Sequence, residues 1–107
     1  MSPTQRSLKH LKAQGYTCQI VEKWNPWAKI RQDLFGIVDI YCLKAGMPPV
    51  GVQTTSGSNH SARVEKALKN ENLALWKASG NRFVVQSWAK RGARGQRKVW
   101  ELREQEL

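Results

Sequence analysis

Apolar residues along the chain follow helical spacing in some segments and strict alternation in others. Leu8 and Leu11 form one stripe within residues 3–14, where Ser2 or Thr4 can cap the first turn and Gly15 ends it. In "YTCQIVEKW" the pattern alternates, setting Tyr16, Cys18 and Ile20, then Glu22, on one face of a half-buried strand. "NPWAKIRQD" is rich in turn formers and reads as a loop. Trp24 and Trp27 there have two readings, cover over the core or stacking on an unpaired base.

"GIVDIYCLKA" is a strand by its β-branched and aromatic content, "GMPP" a turn, and "VGVQTTS" the returning strand of a hairpin. Alternation puts Val38, Ile40 and Cys42 on one side and Ile37, Asp39 and Tyr41 on the other. In the returning strand Gly51, Gln53 and Thr55 oppose Val50, Val52 and Thr54, so antiparallel pairing can gather Asp39 and Gln53 on one surface. A helix capped by Ser58 or Asn59 follows, its buried stripe made of Val64, Ala67 and Leu68. A break at residues 70–72 precedes a second short helix ending at Gly80. "RFVVQSWAK" returns to strand pattern, "RGARGQR" is a basic loop, and "KVWELRE" a last strand. Trp76, Trp88 and Trp100 fall at apolar-periodic positions expected in the core. The expected fold class is α/β, three layers with a mixed sheet flanked by helices. One domain spans 1–107, with its core at about 3–88 and a basic loop, extra strand and tail at 89–107.

Charge changes the picture. Eighteen Lys and Arg stand against eight Asp and Glu, a net charge of +10, which favours a polyanionic partner. No amphipathic basic helix, lipidation signal, secretory leader or span-length apolar run is evident, so nucleic acid is preferred over a membrane and the cytoplasm is the default compartment. Cys18 and Cys42 lack CxxC spacing and read as buried reduced thiols, and a disulfide cannot be argued from spacing. His10 and His60 are isolated, which speaks against a zinc site.

The two aspartates of the chain, Asp33 and Asp39, flank the Gly-containing turn "LFGIV", whose tight geometry could aim both carboxylates at one rim of the sheet. The alternatives are a loop hydrogen bond beside Arg31 for Asp33 and pairing with a Lys or Arg for Asp39. "KRGARGQRK" carries Lys90, Arg91, Arg94, Arg97 and Lys98 around two glycines, which suits a phosphate-tracking arm. "TTSGSN" precedes a helix, where free amides either bind phosphate or are capped.

A helix, a three-strand meander with an acid on its second strand and a polar pair on its third, then helix and strand: this order resembles the PD-(D/E)XK, or restriction-endonuclease-like, superfamily. Archaeal Holliday-junction resolvases and small VRR-NUC domains belong to it. The resemblance covers roughly residues 3–88 and rests on the order of elements and a short motif. It implies an α-β-β-β-α-β core and a Mg2+- or Mn2+-dependent endonuclease acting on DNA, branched or otherwise structured, often as a homodimer and often phage-encoded. The residues themselves do not distinguish DNA from RNA. Asp39 in "IVDIY" matches the first acid. Gln53 and Thr55 in "VQTTS" stand where the family has an acid and a lysine, so a neutral isostere replaces one charge and the lysine is missing.

Hard oxygen donors suit magnesium. The expected metal ligands are Asp39 and Gln53, with Asp33 and Glu22 making up the lost charge. Lys66 or Arg63, three residues apart on one helical face, could replace the lysine. The expected catalytic set is Asp39, Gln53, Thr55, Asp33 and Lys66. The expected nucleic-acid contacts are Arg31, Arg63, Lys90, Arg91, Arg94, Arg97, Lys98 and Trp27. The alternative functions are a non-catalytic nucleic-acid-binding module on the same fold and a basic assembly factor.

Overall fold

The computed structural model describes all 107 residues. Helix α1, Pro3–Ala13, begins where Ser2 Oγ accepts the Gln5 amide at 3.2 Å, with Pro3 pre-setting the first helical φ. It ends before Gly15, whose φ of +93° a side chain would resist. Strand β1, Thr17–Ile20, leads to a separate hairpin of β2, Lys23–Asn25, and β3, Ile30–Gln32. Strands β4, Ile40–Leu43, and β5, Val50–Ser56, follow, then a 3-10 turn at Gly57–Asn59, α2 at His60–Lys69 and α3 at Glu71–Ala78. Strands β6, Arg82–Arg91, and β7, Val99–Glu106, close the chain.

Five strands form one sheet in the order β1-β4-β5-β6-β7. β1, β4 and β5 are an antiparallel meander. The α2–α3 crossover makes β6 parallel to β5, and β7 returns antiparallel to β6. A mixed sheet with helices on both faces is therefore present. No helix is long and apolar enough to cross a membrane.

Strand alternation divides the core between the two faces. Ile40, Cys42, Val50, Val52 and Val84 pack with Leu11 of α1. On the other face Ile37, Val38, Phe83 and Val85 pack with Ala67, Leu73 and Trp76 of α2 and α3. Gly51 lets Trp76 lie against the sheet: a Cβ there would meet Trp76 Cζ2 at 2.7 Å and Val38 Cγ2 at 2.8 Å. Cys18 and Cys42 are Cα partners across β1 and β4, both free thiols, Cys42 buried and Cys18 half-buried. Burial, with Cys18 alongside, pushes the Cys42 thiol well above its usual range.

Several expectations are corrected. "YTCQIVEKW" is not one strand: β1 stops at Ile20, and the chain turns out of the sheet into β2. The expected loop "NPWAKIRQD" supplies the turn and second strand of a hairpin, folded around Asn25, whose Oδ1 accepts the amides of Trp27 and Ala28 at 3.0 and 3.1 Å. Val38 does not share a face with Ile40 and Cys42, because a tight turn before β4 breaks the alternation and packs Ile37 and Val38 together. Leu68 is exposed, and Ala67, half-buried Val64 and buried His60 form the inner face of α2 instead. Trp100 is 44% exposed beneath the Arg6 guanidinium, 3.8 Å from its ring centre, and is not core. Trp88 is half-buried, its indole N–H donating to Ser7 Oγ at 2.8 Å, whereas Trp76 is core as expected. Trp24 and Trp27 cover no core, since both are exposed. Buried His60 is held by polar partners on the sheet, its Nδ1 2.6 Å from Ser87 Oγ and its Nε2 2.9 Å from Gln105 Oε1.

Candidate metal centre

The centre is assembled by the segment between β3 and β4. Leu34 and Val38 form an antiparallel bridge, their backbones exchanging hydrogen bonds of 2.8 and 3.0 Å. The three residues between them turn through left-handed Phe35, φ +55°, and Gly36, φ +78°. The Phe35 carbonyl accepts the side-chain amides of Asn72 at 3.1 Å and Asn70 at 3.4 Å, which holds a non-glycine residue in that costly conformation. Asp33 precedes the bridge and Asp39 follows it, so the turn brings the two aspartates side by side. Glu22 arrives from the end of β1, where the Val21 amide donates to the Asp39 carbonyl at 2.8 Å. One carboxylate oxygen from each of Glu22, Asp33 and Asp39 lies within 4.8 Å of the other two.

Asp39 is 4% exposed. Its Oδ2 accepts the Thr54 amide at 2.8 Å and the Thr54 hydroxyl at 3.3 Å. Burial pushes its pKa up from 3.8 to about 8, aided by a shared hydrogen bond with Asp33 and by the charges of Asp33 and Glu22; the Thr54 amide opposes the rise. Gln53, 1% exposed, extends from β5 into the same cluster, and its Nε2 donates to Asp33 Oδ2 at 3.1 Å. Its Oε1 is buried with no hydrogen-bond partner. Glu22 Oε1 accepts Arg31 Nη1 at 2.9 Å across the base of the β2–β3 hairpin.

Two surface depressions flank the acids. One is lined by Arg31, Gln32, Asp33, Phe35, Gly36 and Lys66, the other by residues that include Gln5, Glu22, Lys23, Trp24 and Arg31. Lys66 of α2 thus stands over the Asp33 side, while Arg63 is half-buried and lines neither. Thr55 is buried two residues beyond Gln53 and brings no charge. Lys90, Arg91, Arg94, Arg97 and Lys98 are all exposed at the far end of the β6–β7 hairpin. Because β5 and β6 are parallel, that end lies in the direction in which β5 runs from Gln53 to Ser56.

The structure therefore brings together Glu22, Asp33, Asp39 and Gln53, with Arg31 and Lys66 beside them, and leaves Thr55 and Arg63 outside. Two partners were not anticipated from the sequence. Thr54 orients Asp39 through an amide that any residue would supply, so no letter signals it. The Arg31–Glu22 pair depends on the hairpin that the turn-rich sequence of residues 25–33 concealed. Comparison with protein-family models, curated proteins and solved structures returns no match.

Proposed function

We propose that this protein is a divalent-cation-dependent endonuclease acting on DNA, with Asp39, Asp33, Glu22 and Gln53 as its cation-binding residues. The observation that carries the reading is Gln53. An amide with one buried, unpartnered oxygen, reaching into three clustered acids, is unfavourable in a metal-free interior. Turned end for end, with loss of its bond to Asp33, the same amide presents that oxygen to the cluster, where a cation would satisfy it. The donor set is then entirely oxygen, as Mg2+ and Mn2+ prefer. The element order around the site, a β1-β4-β5 meander, helical crossover and parallel β6, also agrees with the α-β-β-β-α-β core that the resemblance implies.

A bound divalent ion would supply charge neutralisation at the phosphoryl oxygens and a lowered pKa for attacking water. The chain's own groups do the rest. Thr54 fixes the Asp39 carboxyl, which releases its proton as the site fills. Asp33 and Glu22 add the charge that Gln53 lacks. Arg31 and Lys66 flank the acids at positions suited to adjacent phosphates, and the five exposed cations of the β6–β7 hairpin suit phosphates farther along the DNA.

Thr55 in place of a lysine favours a second reading, a cation-binding DNA module that does not cut. Incubation with supercoiled plasmid and with a four-way DNA junction separates the two. The endonuclease nicks or linearises these with Mg2+ or Mn2+, falls silent in EDTA, and loses cutting in Asp39→Ala while still binding DNA. Binding without cleavage by the wild type under either metal would establish the module.

A further inference from the structure

The β2–β3 hairpin grows directly out of the acidic cluster. Glu22 immediately precedes β2 and Asp33 immediately follows β3, so each leg stands on one of the clustered acids. At its tip Trp27 is 94% exposed, and Trp24, also exposed, sits directly across from Arg31 in the ribbon. The tip is set by Pro26, by the two amides donated to Asn25 Oδ1, and by Lys29 in a left-handed conformation at φ +53°. Between Lys23 and Gln32 the hairpin carries three cations, two tryptophans and no acid. A second copy of this chain, itself carrying +10, would desolvate Lys23 and Lys29 without neutralising them, whereas a polyanion with flat apolar bases satisfies both kinds of side chain.

We infer that the β2–β3 hairpin is a branch-sensing element of the DNA site, with Trp27 stacking on a base left unstacked where strands part and Lys23, Lys29 and Arg31 holding the adjoining phosphates. This deepens the proposed function and rests on DNA being the ligand. Three residues per leg place the tip roughly 10 Å from the acids. At about 3.4 Å per nucleotide for a stacked strand, and more where it is unstacked, that puts the base within about three nucleotides of the phosphate at the cluster. Structure preference and cutting position are thereby joined in one hairpin.

The test uses the full chain in EDTA, so that cleavage plays no part. A three-way DNA junction and a linear duplex of the same sequence are compared by fluorescence anisotropy, with 2-aminopurine scanned along the branch strand. The expected result is a junction preference that falls about tenfold in Trp27→Ala. Quenching of 2-aminopurine at one position near the branch should vanish in that variant and return in Trp27→Tyr. An unchanged junction-to-duplex ratio in Trp27→Ala overturns the inference, even if both affinities weaken, as does a flat 2-aminopurine scan. Failure of the nuclease reading shows separately, as an absence of Mg2+- or Mn2+-dependent cutting with this binding pattern intact.

Discussion

The substitution Asp39→Asn should make the metal-free protein more stable, although it removes the residue on which the proposed activity most depends. A carboxyl whose folded pKa rises from 3.8 to about 8 takes up a proton on folding across that window. Its favourable contribution is complete below pH 3.8 and is lost as pH rises through about 8, so metal-free stability falls over that range. Roughly 3 pK units separate 3.8 from pH 7, and at about 1.4 kcal/mol each they set a ceiling of about 4 kcal/mol. An asparagine at this position would avoid that cost, since its amide oxygen can accept the Thr54 N–H and its NH2 can donate to Asp33. Water penetration lowers the realised gain to about 1–3 kcal/mol, which in a domain of this size raises the melting temperature by at least about 4 °C. Thermal melts of both proteins in EDTA at pH 5, 7 and 8.5 test this, with a gap that widens as pH rises. Added Mg2+ should then stabilise the wild type and not the variant. A variant that melts below the wild type in EDTA at pH 7, or a gap that ignores pH, would show that Asp39 carries no such burial cost.

Other consequences follow from the same geometry. Proton competition at Asp39 should weaken apparent Mg2+ affinity by up to tenfold for each pH unit below about 8, measurable by calorimetry between pH 6 and 8.5. Arg31→Gln should free Glu22 and raise Mn2+ affinity without DNA by up to about fivefold, a limit set by the solvent-exposed guanidinium, while weakening DNA binding. Gly51→Ala should cost about 1–3 kcal/mol by chemical denaturation, because its Cβ has no room beside Trp76 and Val38.

The sheet is readable in sequence where β-branched runs are bounded by turn residues. "VGVQTTS" is β5 over its whole length, and the placing of Gln53 and Thr55 opposite Val52 and Thr54 follows from the pleat alone. The pattern failed where short-range geometry overrides periodicity. Ile37 and Val38 are consecutive and both fully buried because a left-handed turn, pinned through Asn70 and Asn72 from a helix over thirty residues away, sets their direction. The same turn aligns Asp33 with Asp39, and the glycine in "LFGIV" was its visible sign. The β2–β3 hairpin was hidden because neither leg buries a face, leaving no alternation to detect. Leu68 misled for the opposite reason: its spacing fits a buried stripe, yet the sheet meets α2 through the smaller Ala67.

The claim that four side chains grip one divalent ion can be met head-on by soaking crystals in Mn2+ and collecting data at its absorption edge. One anomalous peak is expected between the carboxylates of Glu22, Asp33 and Asp39, with the Gln53 amide turned so that Oε1 faces it. Clear density at that position with no peak, or manganese bound elsewhere while Gln53 still donates to Asp33, would contradict it.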